Sequence, residues 1–377
     1  MARVARIFPR TPNLRSMWPA FPSPTGGPRR VVRAHARRPM LAVAARIDRL
    51  RGVRAVTISP QASGGKLAVS DVPAPRPGVG EVLIENVSAG VNRADLLQRA
   101  GKYPPPAGAP PWPGLEVAGS VRETGPGVSG VSVGDRVVAL LEGGGYADLV
   151  VARAAQTLPA PDGVDLVDAA ALPEAVCTAW TNLVDTARVR PGEWVLIHGG
   201  SGGVGTIAVQ LAAALGAHVI ATAGGPERAE RVRALGADAV VDHRREDFVA
   251  AVRAATHGRG ADVVLDVLGG RALPDNVRAL AHHGRLVVIG LQQGRRGELD
   301  LSALMAKRAT VTGTTLRSRT PQEKAQIVAA VREHVWPLIA AGRVRPVVHA
   351  RLPLADAEAA LATLERGEAF GKVLLVP

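Results

Sequence analysis

One cysteine, Cys177, stands among the 377 residues of the chain. That excludes a disulfide framework and any metal site built from several thiolates. Aromatics are scarce as well: Phe, Trp and Tyr together make up 3%. The apolar share is still 47%, so the core must come mainly from Val, Ile, Leu and Ala. Long apolar runs are missing. The longest stretch without Asp, Glu, Lys or Arg is 194–226, and glycines at 199, 200, 202, 203, 205 and 216 break it into strand, turn, helix and strand. No piece reaches the roughly 20 apolar residues that a membrane span needs. No internal repeat is visible.

Acidic residues are nearly absent from the first 52 positions, where twelve arginines face Asp48 alone, giving +11. The other 325 residues carry 34 basic and 32 acidic side chains, or +2. The body therefore has no reason to present a nucleic-acid-binding face. Residues 1–52 also hold seven prolines and Gly26-Gly27, a composition that cannot bury enough apolar surface to offset ordering entropy. Three readings of this segment compete: an organelle-targeting presequence, an arm for nucleic acid or anionic membrane, and an extension from an upstream start, with Met17 or Met40 as the true start. The last is favoured, because Arg dominates Lys along the whole chain. A cytoplasmic protein is then expected.

The body changes rhythm along its length. Short strands are expected over 54–59, 81–86, 117–123, 136–141 and 146–152, divided by Gly and Pro clusters, which implies a β-rich, barrel-like domain. Helices and strands alternate further on. A helix is expected over 165–187, a strand over 194–198, a helix over 206–215 and a strand over 218–223. They are followed by a helix over 227–235, strands over 239–242, 261–267 and 285–291, and a helix over 246–256. That order implies a parallel sheet covered on both faces. Helices over 322–341 and 355–366 and strands over 347–353 and 372–376 close the chain, and the last strand is free to pair back into the first domain. The fold class is α/β. The expected division is a basic extension 1–52, a first domain part 53–174, a dinucleotide-binding domain 175–318 and a returning part 319–377.

The strand over 194–198 runs into Gly199-Gly200-Ser201-Gly202-Gly203-Val204-Gly205 and then a helix. Gly200-x-Gly202-x-x-Gly205 fits a dinucleotide turn: one glycine for the bend, one for close approach of backbone to pyrophosphate, one for helix–strand packing. The helix start offers free N–H groups and a partial positive charge to phosphates. The next strand ends in Ala223-Gly224-Gly225, with no acid to hold a ribose 2′-hydroxyl, and Arg228 follows. This points to NADPH rather than NADH, against the plainer reading of Arg228 as one more solvated helix arginine.

Further segments resemble the zeta-crystallin-like quinone oxidoreductases of the medium-chain dehydrogenase/reductase superfamily, nearest to the tumour-suppressor-induced branch. They are Gly90-Val91-Asn92-Arg93-Ala94-Asp95-Leu96-Leu97-Gln98-Arg99, Tyr103-Pro104-Pro105-Pro106, Pro113-Gly114-Leu115-Glu116, Gly143-Gly144-Gly145-Tyr146-Ala147, Leu172-Pro173-Glu174, Leu316-Arg317-Ser318-Arg319 and Gly371-Lys372-Val373. The resemblance covers 53–377 and leaves out 1–52. It implies a GroES-like β domain with an inserted Rossmann domain, a site in the cleft between them, and a homo-oligomer, dimer or tetramer. Zinc-dependent relatives carry Cys and His where this chain has Asn92 and Leu115. Catalytic zinc needs three protein ligands, so no metal is expected.

The resemblance also assigns roles. Asn92 would donate to a substrate or nicotinamide carbonyl, the alternative being an Asx turn. Tyr103 would line the pocket or donate a proton, or merely pack its loop. Thr178 falls near the nicotinamide, or is an ordinary helix hydroxyl. His243 stands where relatives often place a Tyr near the 2′-phosphate or adenine. Ile289-Gly290-Leu291 falls on the nicotinamide side, and Arg317 and Lys372 are set against phosphates or the cleft. The expected cofactor-binding set is Gly200, Ser201, Gly202, Gly203, Val204, Gly205, Gly224, Gly225, Arg228, His243, Ile289, Gly290, Leu291, Arg317 and Lys372; the expected catalytic set is Asn92, Tyr103 and Thr178. Cys177 reads as a small core residue, and His282-His283 as part of a turn.

These expectations describe a zinc-free oxidoreductase that passes hydride from NADPH to a quinone or an activated enone. Two alternatives stay open. One is a reductase of enoyl thioesters. The other is an idle NADPH-binding protein whose basic arm holds nucleic acid.

Overall fold

The computed structural model describes residues 52–59 and 65–377. The expectations for 1–51 lie outside the described residues. β1 (Val53–Ser59) and β2 (Lys66–Val72) form an antiparallel pair, joined to the rest through an Ala55–Ala147 bridge. β3 (Glu81–Gly90), β4 (Glu116–Thr124), β5 (Arg136–Leu140), β6 (Leu149–Arg153) and β7 (Thr157–Pro159) begin a second sheet. β8 (Trp194–Ile197), β9 (His218–Ala223), β10 (Ala239–Asp242), β11 (Ala261–Asp266), β12 (Leu280–Val288) and β13 (Thr310–Gly313) make a third. β14 (Val348–Pro353) and β15 (Lys372–Val376) return to the second.

The third sheet is wholly parallel, in the order β10-β9-β8-β11-β12-β13. This is the doubly wound arrangement, and the chain order reverses between β8 and β11. Its middle strands are apolar on both faces, as helices on both sides require. Leu196, Ile220, Val264 and Leu286 meet in that core.

The second sheet runs β14-β15-β3-β4-β5-β7. β3 divides one edge between two partners: Glu81–Glu85 pair with β6, and Ala89 and Gly90 pair with β15. The last strand of the chain thus closes the first lobe, as expected. Ile84, Val117, Val150, Val373 and Leu375 share one core there with Tyr146, which is fully buried. The fold is α/β with a GroES-like lobe and a Rossmann lobe.

Several elements differ from expectation. The stretch 165–187 is not one helix. It divides into Leu166–Ala169, Pro173–Trp180 and a π-helical turn Thr181–Thr186. Pro173 has no N–H to continue the first piece and instead starts the second at its N1 position. The helix over 322–341 breaks at Val335, just ahead of Pro337, into Pro321–His334 and Trp336–Ala340. β12 stops at Val288, so Ile289, Gly290 and Leu291 lie beyond the strand at the carboxyl edge of the sheet. β2, β7, β13 and the helices Arg93–Arg99 and Leu301–Lys307 were not expected. They are short, and β2 and β13 pair on one edge only and are largely open, so no apolar period marks them.

Candidate active site

The glycine turn lies at the carboxyl end of β8, beside the point where strand order reverses. Gly202 caps the helix Gly203–Ala214 from an extended conformation. A Cβ on Gly205 would overlap the Gly199 carbonyl, so close packing of helix on strand demands glycine there. A Cβ on Gly202 would meet nothing nearer than the Gly199 oxygen at 3.4 Å, and residues 201–204 are all half-open. The first-turn N–H groups have no intrahelical acceptor. A cradle for an anion follows.

The C-terminal strand reaches this turn. Gly371 N–H donates to the Ser201 carbonyl at 2.8 Å, and Gly371 bridges Gly202. The Lys372 methylenes lie against Gly203, where an added Cβ would come within 2.5 Å of Cδ. Its ammonium points onward into a buried knot. Nζ donates to Asn92 Oδ1 at 2.6 Å and to Glu116 Oε1 at 2.5 Å. Asn92 Nδ2 donates to Glu116 Oε1 at 2.9 Å and to the Gly90 carbonyl at 3.2 Å. Glu116 Oε2 accepts from the Glu174 amide at 2.8 Å. Glu116 has no exposed surface and Lys372 is 3% exposed. Asp95, fully buried, accepts from the Asn92 and Gly114 amides and from the Tyr146 hydroxyl at 2.8–3.0 Å. Burial pushes the Asp95 carboxyl up against those three bonds, and burial beside Asp95 pushes the Tyr146 phenol well up. A knot so fully bonded holds the cleft floor rigid.

This geometry changes the expectation for Asn92 and narrows that for Lys372 to the cleft. Asn92 commits both amide hydrogens and its oxygen within the protein, so it positions Lys372 and Glu116 rather than donating to a substrate. Lys372 touches the turn through its stem only; its charge compensates Glu116 and is not aimed at phosphates.

The expectation for Arg317, phosphates or the cleft, narrows as well. Arg317 is 4% exposed, and its guanidinium donates to the Glu142 carbonyl at 2.7 Å, to the Tyr103 carbonyl at 3.3 Å and to Gln98 Oε1 at 2.7 Å. It sits 5.3 Å from the centre of the Tyr103 ring. It braces the Tyr103 loop from inside and does not face a phosphate. Tyr103 is half-buried, and burial pushes its phenol upward.

The helix Pro173–Trp180 is buried at every position except Glu174 and Thr178, which stand one turn apart on its open side. Burial, reinforced by the Glu116 carboxylate, pushes the Glu174 carboxyl up to about 8. Glu174 stands in the sequence as one residue of the Leu172-Pro173-Glu174 segment, a carboxylate on a helix whose only other polar side chain not buried is that of Thr178. Cys177 is fully buried and its thiol is pushed well up. It is core.

At the tip of β9, Gly224 lies against His243 and Arg244: a Cβ there would come within 3.1 Å of His243 Nε2 and 3.0 Å of Arg244 Nε. Asp242, the nearest acid, commits one oxygen to the Gly225 and Arg244 amides. Arg228 gives two N–H groups to the Glu368 and Ala369 carbonyls, at 2.6 and 3.3 Å, and so ties its helix to the approach of β15. Across the sheet, Ile289 N–H bonds the Asp266 carbonyl and Gly290 packs on Val267, while Leu291 is 59% exposed.

Comparison with known proteins agrees with this architecture. Residues 78–162 match the family of the alcohol dehydrogenase GroES-like domain, and residues 203–333 match that of the zinc-binding dehydrogenase. A Rattus norvegicus quinone oxidoreductase is 34% identical over 291 residues, covering 76% of this chain and 86% of that protein. An Escherichia coli quinone oxidoreductase solved as a complex with NADPH superposes with a TM-score of 0.76 at 30% identity, over 86% of this chain and 99% of that one. A Mycobacterium tuberculosis phthioceranic/hydroxyphthioceranic acid synthase is 35% identical over 303 residues. The match covers 79% of this chain, which spans 14% of the length of that synthase. The protein is a medium-chain dehydrogenase/reductase. Within that family it belongs to the quinone oxidoreductases.

Zinc, which one matching family name carries, does not suit these residues. Leu115 is apolar and buried, Asn92 is neutral, and Glu116 already holds an ammonium ion. Among the described residues no group of three His, Cys, Asp or Glu side chains is placed to hold a metal.

Proposed function

We propose that this protein passes hydride from NADPH to a quinone or a similarly activated conjugated carbonyl, without a metal. The observation that carries the reading is the half-open glycine turn at the strand-order reversal, set beside a buried, metal-unsuited cleft floor. When bound, NADPH supplies the hydride. Residues 201–204 hold its pyrophosphate at the helix start. Gly224, Gly225, His243, Arg244 and the free donors of Arg228 receive the adenosine end; β9 itself ends without an acid, and the neighbouring Asp242 is turned onto the Gly225 and Arg244 amides, which leaves room for a 2′-phosphate. Ile289 and Gly290 border the nicotinamide. Tyr103 and Thr178 line the acceptor side, and the Lys372–Glu116–Asn92 knot keeps water from the floor.

The boundaries 53–174, 175–318 and 319–377 are the division we assign, supported by the change of sheet. We assign a homo-oligomer in the cytoplasm, the first on family membership. Among the described residues no helix is long and apolar enough to cross a membrane.

The test is NADPH oxidation at 340 nm by chelator-treated protein, with 1,2-naphthoquinone and crotonyl-CoA as parallel acceptors and NADH as the alternative donor. Quinone turnover preferring NADPH is expected. Turnover of crotonyl-CoA alone would favour the second reading, an enoyl-thioester reductase, which the synthase match supports.

A further inference from the structure

We propose that Glu174 is the proton donor of this site, delivering its carboxyl hydrogen to the acceptor oxygen as hydride arrives; this rests on the hydride-transfer reading above.

The geometry singles it out. Glu174 is in the first turn of Pro173–Trp180, and it shares the open side of that helix with Thr178 alone. Its main-chain N–H is anchored on Glu116 Oε2, which fixes the residue at the edge of the cleft floor. Lys372 and Asn92 saturate the other oxygen of Glu116. The carboxyl group of Glu174 itself makes no hydrogen bond to any described residue. A half-buried acid without a partner, beside the saturated Lys372–Glu116–Asn92 knot, is free to bond a ligand.

The charged groups that act on it come from every neighbouring element. Glu116 and Asp95 oppose its ionisation, and Lys372 and Lys324 favour it, but burial dominates. Tyr103 and Arg317, from two separate loops, and Cys177, on its own helix, lie within reach of its charge. The result is an acid that keeps its proton at neutral pH and releases it slightly above. General acids work best when their pKa lies near the operating pH. The rival donor, Tyr103, is held above an ordinary phenol by burial and is the weaker acid.

The step balances. NADPH gives up one hydrogen with two electrons and becomes NADP⁺. The acceptor gains that hydride, and the electron pair of its carbonyl moves onto oxygen. The O–H bond of Glu174 breaks as the new O–H bond forms on the acceptor, and the electron pair stays on the carboxylate. Water on the open side of the residue returns the proton. The sum is NADPH, acceptor and one proton in, NADP⁺ and reduced acceptor out.

The experiment compares wild type with Glu174→Gln, Glu174→Asp and Tyr103→Phe. The readouts are kcat with 1,2-naphthoquinone against pH, its solvent deuterium isotope effect, and an infrared titration of the carboxyl band in ligand-free protein. Wild type should lose kcat as pH rises through about 8. Glu174→Gln should lose about 100-fold in kcat, the lower end of general acid catalysis, and with it the alkaline fall and the isotope effect. Glu174→Asp should keep the alkaline fall at a lower rate. The infrared band should titrate near pH 8 in wild type and be missing in Glu174→Gln. Unchanged kcat and pH profile in Glu174→Gln would overturn the role while leaving the hydride reading intact. So would loss of the alkaline fall in Tyr103→Phe alone. Wild type that binds NADPH and reduces neither quinone nor crotonyl-CoA would overturn the hydride reading, and the role with it.

Discussion

The two lobes bury polar groups in opposite ways. In the GroES-like lobe the ammonium of Lys372 is paired with the carboxylate of Glu116, with Asn92 between them. Under the glycine turn, the Rossmann lobe buries His198, Thr222, Asn276 and Asp266. There His198 Nε2 meets Asn276 Oδ1 at 2.7 Å, Nδ1 meets Thr222 Oγ1 at 3.3 Å, and the ring stands edge-on to Phe248. Burial lowers the His198 pKa and raises that of Asp266, so both move toward the neutral form. Two amides, of Leu268 and Gly269, bond the Asp266 carboxyl. Desolvation opposes isolated charge, and a fold answers by pairing it or by removing it. The difference teaches where chemistry can be expected: a paired floor is inert, and Glu174, beside that floor and outside its pairing, is left to react.

The comparison can be broken most severely at Lys372. Replacing it with Met strands the Glu116 carboxylate in a dry site, and the expected loss is about 3–5 kcal/mol of unfolding free energy. Urea denaturation measures it, and adding Glu116→Gln should recover much of the loss. A recovery of nothing would mean that the stem packing of Lys372, not its charge, matters. The neutral brace should be the softer of the two. Asn276→Ala leaves a buried imidazole N–H without its acceptor, for about 1–3 kcal/mol by the same measurement.

pH sharpens the contrast. Glu174 is raised from 4.5 to about 8. Its contribution to stability is present below pH 4.5 and lost as pH rises through 8. Glu174→Gln should therefore gain thermal midpoint on wild type between pH 5 and pH 9, by calorimetry. His198 runs the other way. Its pKa is lowered from 6.5, so its contribution is present above pH 6.5 and lost on acidification. His198→Phe should flatten that acid loss. The smallest effect belongs to the surface. Arg54 and Asp148 form a 2.9 Å pair with Arg54 56% exposed, and Arg54→Ala should change stability by about 0–1 kcal/mol, with the change shrinking in salt.

Much of this was legible in sequence because it rests on local rules. The alternation of strand and helix and the glycine turn follow from periods and from φ-tolerant residues; a return of the strand 372–376 to the first lobe was expected, and its partner β3 was not. The parts that were not legible depend on distant partners. Arg317 was set against phosphates or the cleft and is a brace, because Gln98, Tyr103 and Glu142 converge on it from more than 170 positions away. Arg244 was passed over because no sequence rule places it beside Gly224. Helix Arg93–Arg99 is too short to show a period; its start is held by the Asn92 amide on Asp95 and its register by Asp95 on Gly114 and Tyr146.

By itself, then, the sequence determined the class of fold, the dinucleotide turn and the poverty of metal ligands, since backbone freedom, hydrophobic period and residue chemistry are properties of short segments. Tertiary structure alone decided which polar groups are paired and which are left open. That choice depends on desolvation and on partners such as Glu116 and Lys372, brought together across 256 positions, and desolvation exists only once the chain has folded around them.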